Sequence, residues 1–293
     1  MIQLLGGKLM KFSFCTIAWR HRTLKLDDMA YIISLLGYEG IEIWSKHLFE
    51  YQAALPALKK LLNHSKLQVP MITPYFDFTS SKKKWRDSVL EAETFIHLAN
   101  EIDCRIIRCF TGRVGSEFAT QREWENGVEG IQVIADKAAE FNIKIAIETH
   151  VNTLADRIES IQKLLKDVNR PNVGLVLDFY NLYENEKGMD PLLVIEKLYE
   201  HTIHVHAKNA EANLGLITPF NYVMEKDRAI LGIRNLADGD LDYRAILNEL
   251  NRRGYQGYVS IECFEVNRNP IRVAIDEIKF LREIKQPDFQ PLG

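Results

Sequence analysis

Three side chains that can bind a metal or an anion, His204, His206 and Lys208, take every second position in the run TIHVHAK at 202–208. Alternate residues of a β-strand share a face, so the three point the same way. Other apolar runs also finish on polar groups. IKIAIET (143–149) carries Glu148, and His150 follows two residues on, in the same phase. VGLVLD (173–178) ends on Asp178, and YVSIECF (258–264) carries Glu262 in line with Tyr258 and Ser260. RIIRCF (105–110) supplies Arg108 in line with Ile106 and Phe110. If these strand ends meet, two Glu, one Asp and at least one His share one rim. Burying three carboxylates there without a cation costs roughly several kcal/mol per ion, and one divalent metal removes most of that cost.

The elements that must position these groups are legible as an alternation. Three further runs, FSFCTIAW (12–19), GIEIW (40–44) and LQVPMIT (67–73), bring the strands to eight. Segments of helical spacing follow them, such as Asp27 to Leu36 closed by Gly37, Trp85 to Ile102, Gly130 to Phe141, and Asp242 to Arg253 closed by Gly254. Asp27, Asp156 and Asp242 are expected N-caps, and the two glycines suit left-handed C′ positions. Eight βα units with near-continuous hydrophobic strands predict a single (β/α)8 TIM barrel of class α/β, whose functional face is the carboxyl end of the strands. A doubly wound sheet would need a glycine-rich first turn, which the chain lacks. The expected organisation is an N-terminal extension at 1–9, disordered, a barrel at 10–285 and a tail at 286–293. The long connection 210–239, irregular in pattern, is expected to cover the active site or to join a second subunit in a homodimer.

Blander readings compete at each position. A lone acid at a strand end is commonly a cap or an ion-pair partner, and a His within a strand is commonly a hydrogen-bonded core residue. His204, one layer deeper than His206, is read as that structural case. The metal reading draws its strength from four adjacent strands that each deliver a ligand at the same end.

Bulk properties exclude other classes. The chain has 293 residues, 46% hydrophobic and 26% charged, as globular proteins do. A net charge of −3 and a pI near 6.3 leave no footprint for nucleic acid. Lys82-Lys83-Lys84 reads as the solvated start of a helix. Cys15, Cys104, Cys109 and Cys263 show no Cys-x-x-Cys spacing and are expected to be reduced, small core residues. No run approaches the roughly 18 apolar residues of a membrane span, and MIQLLGGKL lacks the apolar core of a signal peptide. A cytoplasmic enzyme acting on a small molecule is the expectation.

The series E-T-H (148–150), L-D-F (177–179), H-A-K-N (206–209) and S-I-E (260–262) resembles the sugar phosphate isomerase/epimerase-like (xylose isomerase-like) barrels. Within them, C-T-I-A-W-R-H (15–21), G-I-E-I-W (40–44), I-R-C-F-T-G (107–112), E-T-H-V-N-T-L (148–154) and S-I-E-C-F (260–264) are similar to 3-dehydroshikimate dehydratases of the petrobactin-pathway type. The resemblance runs from about Met10 to Leu281. It implies metal ligation by Glu148, Asp178, His206 and Glu262. It also implies substrate contact through His150, Arg108 and Lys208, with Tyr75 as a pocket aromatic. Two positions depart from the wider superfamily. Asn209 stands where many epimerases have Asp, and Asn181 where many have His, so no acid/base role is assigned to position 181.

One imidazole and three carboxylates suit Mn²⁺, with Mg²⁺ or Co²⁺ as alternatives, better than a sulfur-preferring ion. An ion so held polarises a ketone and stabilises the enolate formed on proton loss. The implied reaction is dehydration of 3-dehydroshikimate to protocatechuate. His150 would take the C4 proton, the C5 hydroxyl would leave, and loss of a further ring proton would complete the aromatic ring. Arg108 could grip the substrate carboxylate in a bidentate fork; Lys208 could do so instead, or support the enolate oxygen. A keto-sugar isomerase or epimerase using the same enediolate chemistry is the alternative, with Glu148 and Glu262 as bases. Endonuclease IV chemistry needs more His ligands than these strand ends offer. A non-catalytic metal-binding barrel would have no use for Arg108, His150 and Lys208 at the ion.

Overall fold

The computed structural model describes residues 10–186, 188–212, 231–264 and 268–285. The expected extension at 1–9, the tail at 286–293 and most of the 210–239 connection therefore lie outside the described residues.

Strands β1 (Lys11–Cys15), β2 (Gly40–Trp44), β3 (Ile72–Thr73), β4 (Ile106–Cys109), β5 (Lys144–Glu148), β6 (Val173–Asp178) and β7 (Thr202–Ala207) follow the predicted order. After them come β8 (Asn209–Ala212), β9 (Leu231–Arg234) and β10 (Tyr258–Ile261). β1 to β7 and β10 close into an eight-stranded barrel in which every neighbouring pair is parallel. The expected (β/α)8 barrel is the fold. Helices such as Lys82–Glu101, Gln121–Ala139 and Tyr243–Arg252 cover it. All four cysteines are buried thiols.

Several boundaries differ from the sequence reading, each for a local reason. The run 12–19 leaves the sheet after Cys15 as a 3-10 turn (Thr16–Trp19), where Thr16 Oγ1 accepts the Trp44 amide at 2.8 Å. The run 67–73 keeps only Ile72–Thr73 as a strand; Pro70 has no N–H for a ladder, and only an isolated bridge links Gln68 to Gly40. The 210–239 connection is not wholly irregular, because β8 and β9 pair antiparallel at its base, Asn209 opposite Arg234.

Gly37 and Gly254 take the predicted left-handed conformation, φ 81° and 80°. Asp242 caps its helix by accepting the Ala245 amide. The other two expected caps are not N-caps. Asp27 lies inside the first turn of the helix Leu26–Leu36, where its charge faces the positive helix end. Asp156 instead accepts the Ser116 amide from a neighbouring loop, and its helix starts at Ile158. Lys82, Lys83 and Lys84 form an exposed first turn, capped by Ser81. Among the described residues no helix is long and apolar enough to cross a membrane.

Register sets the site. Asp178 pairs with His206, and His206 pairs with Ser260 on its other side. The first pairing depends on a register shift between Leu175 and Val176, where Leu175 faces Thr202 but Val176 faces His204. A bulge of this kind advances one strand by a residue. Without it, Asp178 would lie opposite Val205.

Candidate active site and metal centre

The barrel's carboxyl end gathers the predicted strand-end residues into one buried cluster. Glu148 closes β5, Asp178 closes β6, His206 lies in β7 and Glu262 follows β10 by one residue. Ligating atoms of these four side chains all lie within 4.8 Å of one another, and all four residues are buried. His206 Nδ1 stands 3.4 Å from Glu148 Oε1, 3.7 Å from Asp178 Oδ2 and 3.8 Å from Glu262 Oε2. One imidazole nitrogen and three carboxylate oxygens facing a common point suit a divalent ion with oxygen preference. Asp178 Oδ2 is buried and has no well-aligned hydrogen-bond donor. Lys208 Nζ lies 2.7 Å from it as an ion-pair partner.

Cations balance the acids. Lys208 Nζ is 2.5 Å from Glu262 Oε2, and the rings of Tyr180 and Phe264 flank it at 5.4 and 5.2 Å. Arg108 is 1% exposed. Its Nη1 donates to Glu148 Oε2 at 2.9 Å and lies 3.7 Å from Glu262, while its Nη2 donates to the Thr73 and Pro74 carbonyls. Its guanidinium packs against the rings of Tyr75 and Phe110, 4.5 Å from each. Tyr75 itself is half exposed at the mouth, beyond β3. Arg108 Nε is the donor left without a partner.

Burial opposes ionisation of Glu148, but Arg108, His206 and Lys208 outweigh it and hold the carboxyl well below its usual range. Burial likewise opposes charge on Lys208 and His206. Asp178 and Glu262 nonetheless raise the ammonium well above its ordinary value, and Glu42, Glu262 and Glu148 raise the imidazole.

His150, two residues beyond Glu148, is partly buried. Its ring packs 4.8 Å from Phe110, and its Nδ1 is 2.7 Å from the Val151 carbonyl. A carbonyl only accepts, so Nδ1 is the donor here, and this contact favours the tautomer in which Nε2 is the acceptor. That is the form a general base needs. The loop holding it is pinned: the His150 amide donates to Ala155, Thr153 Oγ1 donates to the His150 carbonyl, and Leu154 N donates to Thr111 Oγ1.

The two departures noted in the sequence have structural uses. Asn181 Nδ2 donates to Glu148 Oε1 at 3.1 Å and to the Thr149 carbonyl, which fixes the carboxylate's orientation. Asn209 ties the base of the ribbon to the chain beyond it, through the Leu236 and Leu241 carbonyls and the Leu241 amide. His204 is buried in the layer below and bonds Glu42, as a structural histidine would. Glu42 itself was not singled out in the sequence. It lies mid-strand in β2, fully buried, 2.8 Å from His204 Nε2 and 3.0 Å from His206 Nε2. Its signal was a lone acid between Ile41 and Ile43 in an otherwise apolar run.

Residues 31–284 match the model of the xylose isomerase-like TIM barrel family. The chain belongs to that family. Its relatives include the 3-dehydroshikimate dehydratase of Bacillus anthracis, 32% identical over 93% of this chain and 96% of that one. The inosose dehydratase of Clostridium tetani is 24% identical over 94% and 97% of the two chains. Among solved structures, the probable 3-DHS dehydratase AsbF involved in petrobactin synthesis in Bacillus anthracis superposes with a TM-score of 0.80. It is 31% identical, over 93% of this chain and 99% of that one.

Proposed function

We propose that this member of the family dehydrates 3-dehydroshikimate to protocatechuate, using one divalent ion held by Glu148, Asp178, His206 and Glu262. Mn²⁺ is the ion we assign, because the donor set is three oxygens and one imidazole nitrogen. The observation that carries the reading is the near full-length similarity to the Bacillus anthracis dehydratase, in a chain whose mouth joins a four-residue acid and imidazole cluster to a histidine with Nδ1 tied to a carbonyl. When bound, the ion polarises the ketone and makes the adjacent C–H more acidic.

The chain's own groups then divide the work. His150 Nε2 accepts the C4 proton. Lys208, already charged among the carboxylates, stabilises negative charge growing on the ketone oxygen and supports departure of the C5 hydroxyl. One proton and one hydroxide leave as water, and the remaining hydroxy-cyclohexadienone loses a ring proton from C6 while its ketone oxygen gains one, which completes the catechol ring. Arg108 keeps Glu148 ionised and oriented through Nη1; its unpartnered Nε is the donor we assign to the substrate carboxylate. Tyr75 closes the outer side of that guanidinium. A homodimer joined through the 210–239 connection is part of the same proposal.

The test is spectroscopic. Purified protein given 3-dehydroshikimate and Mn²⁺ should generate the near-ultraviolet absorbance of an aromatic product. A chelator should stop the reaction, and added Mn²⁺ should restore it. An epimerase would return the proton to carbon and give no aromatic band; turnover of free ketohexoses without reaction on 3-dehydroshikimate would replace the proposal.

A further inference from the structure

We propose that Glu42 is a positioning residue for the metal: it holds the His206 ring so that Nε2 bears the proton and Nδ1 turns its lone pair toward Glu148, Asp178 and Glu262. This rests on the metal reading above and adds a residue outside the four ligands. The argument begins with the carboxylate's geometry. Glu42 is fully buried in β2, as are His204 and His206. Oε1 faces His206 Nε2 at 3.0 Å and Oε2 faces His204 Nε2 at 2.8 Å. Both oxygens are engaged, so the carboxylate cannot turn without losing a partner.

A carboxylate in this charge state only accepts. Each Nε2 is therefore the donor, and on His206 it is Nδ1, 3.4 Å from Glu148 Oε1, that gives up its proton when an ion takes its place among the acids. Metal-binding histidines characteristically give their second nitrogen's proton to a carboxylate or carbonyl, which orients the ring and raises its basicity. His204 completes the brace. Its Nδ1 has no hydrogen-bond partner, and its Nε2 fixes the far oxygen of Glu42.

The same three residues, Glu42, His204 and His206, also bring potential ligating atoms within 4.8 Å of one another. A second ion there would require His206 Nε2 as a lone-pair donor. That nitrogen cannot both donate to Glu42 and ligate. The hydrogen-bond distances to both oxygens make the brace the better account.

Calorimetric titration of the metal-free full chain with Mn²⁺ should give one ion per chain. Glu42→Gln keeps the shape but offers one ring an amide N–H₂ in place of an acceptor, and should weaken Mn²⁺ binding about 10–100-fold. In wild-type protein labelled with ¹⁵N-histidine and loaded with Zn²⁺, His206 should ligate through Nδ1 and show a protonated Nε2. That measurement needs no variant to fold. Unchanged affinity in Glu42→Gln, ligation through Nε2, or two ions per chain would each overturn the Glu42 role and leave the four-ligand site standing. Absence of any Mn²⁺ binding by the wild type would overturn the metal reading itself.

Discussion

Replacing His150 by alanine is expected to lower kcat on 3-dehydroshikimate about 10²–10⁴-fold, the usual contribution of a positioned base, with Mn²⁺ affinity changed less than about threefold. The expectation follows from the separation of roles at the end of β5. Glu148 points into the acid cluster and is held by Arg108 and Asn181. His150 touches Phe110 and the Val151 carbonyl, so its ring can be removed without disturbing a ligand. Its Nδ1 proton is committed to that carbonyl, which leaves Nε2 as the acceptor. Steady-state kinetics together with calorimetry check both halves. Near-normal turnover in a variant that binds Mn²⁺ would remove His150 from the mechanism.

The second large effect is on stability. Arg108→Met in metal-free protein is expected to lose about 3–5 kcal/mol in chemical denaturation, because a buried acid is left without its partner. Glu148 and Arg108 are both essentially unexposed, so solvent does not screen the pair. The pH dependence has a definite sign. The folded-state carboxyl of Glu148 lies well below its usual range, with burial opposing and Arg108 leading the groups that lower it. Its stabilising contribution is therefore complete above the unfolded carboxyl value, about 4.3, and is lost as pH falls through the depressed folded value. The variant's deficit should be greatest near neutrality and shrink as acid protonates Glu148, which burial now makes easier in the variant than in the wild type. Saturating Mn²⁺ should also reduce it, since the ion supplies Glu148 with another positive partner. A loss below about 1 kcal/mol at pH 7 would show that Arg108 is not the principal partner of Glu148.

Much of the site was legible because chemistry and periodicity coincide at strand ends. Asp178 terminates an apolar run, Glu148 nearly does so, and His206 and Lys208 interrupt one in phase. Once the strands are parallel and closed, those ends must meet. Glu42 was not legible, because it sits mid-strand and not at an end, and its partner lies 162 residues away. The register shift at Leu175/Val176 was equally hidden. Nothing in VGLVLD or TIHVHAK announces that one strand advances by a residue, yet that step sets Asp178 beside His206. LQVPMIT reads as a strand throughout because it is apolar, yet Pro70 lacks the donor that a ladder needs, and only Ile72–Thr73 joins the sheet. The ribbon of β8 and β9 escaped notice because NAEA and LGIR are short and polar or glycine-bearing. Their pairing depends on contacts across the connection, not on local pattern.

Anomalous scattering from crystals grown with Mn²⁺ tests the four-ligand centre most directly. A single peak per chain should appear about 2.0–2.3 Å from oxygens of Glu148, Asp178 and Glu262 and from His206 Nδ1, distances usual for such ligands. A peak elsewhere, or ligation that omits any of the four, would contradict it.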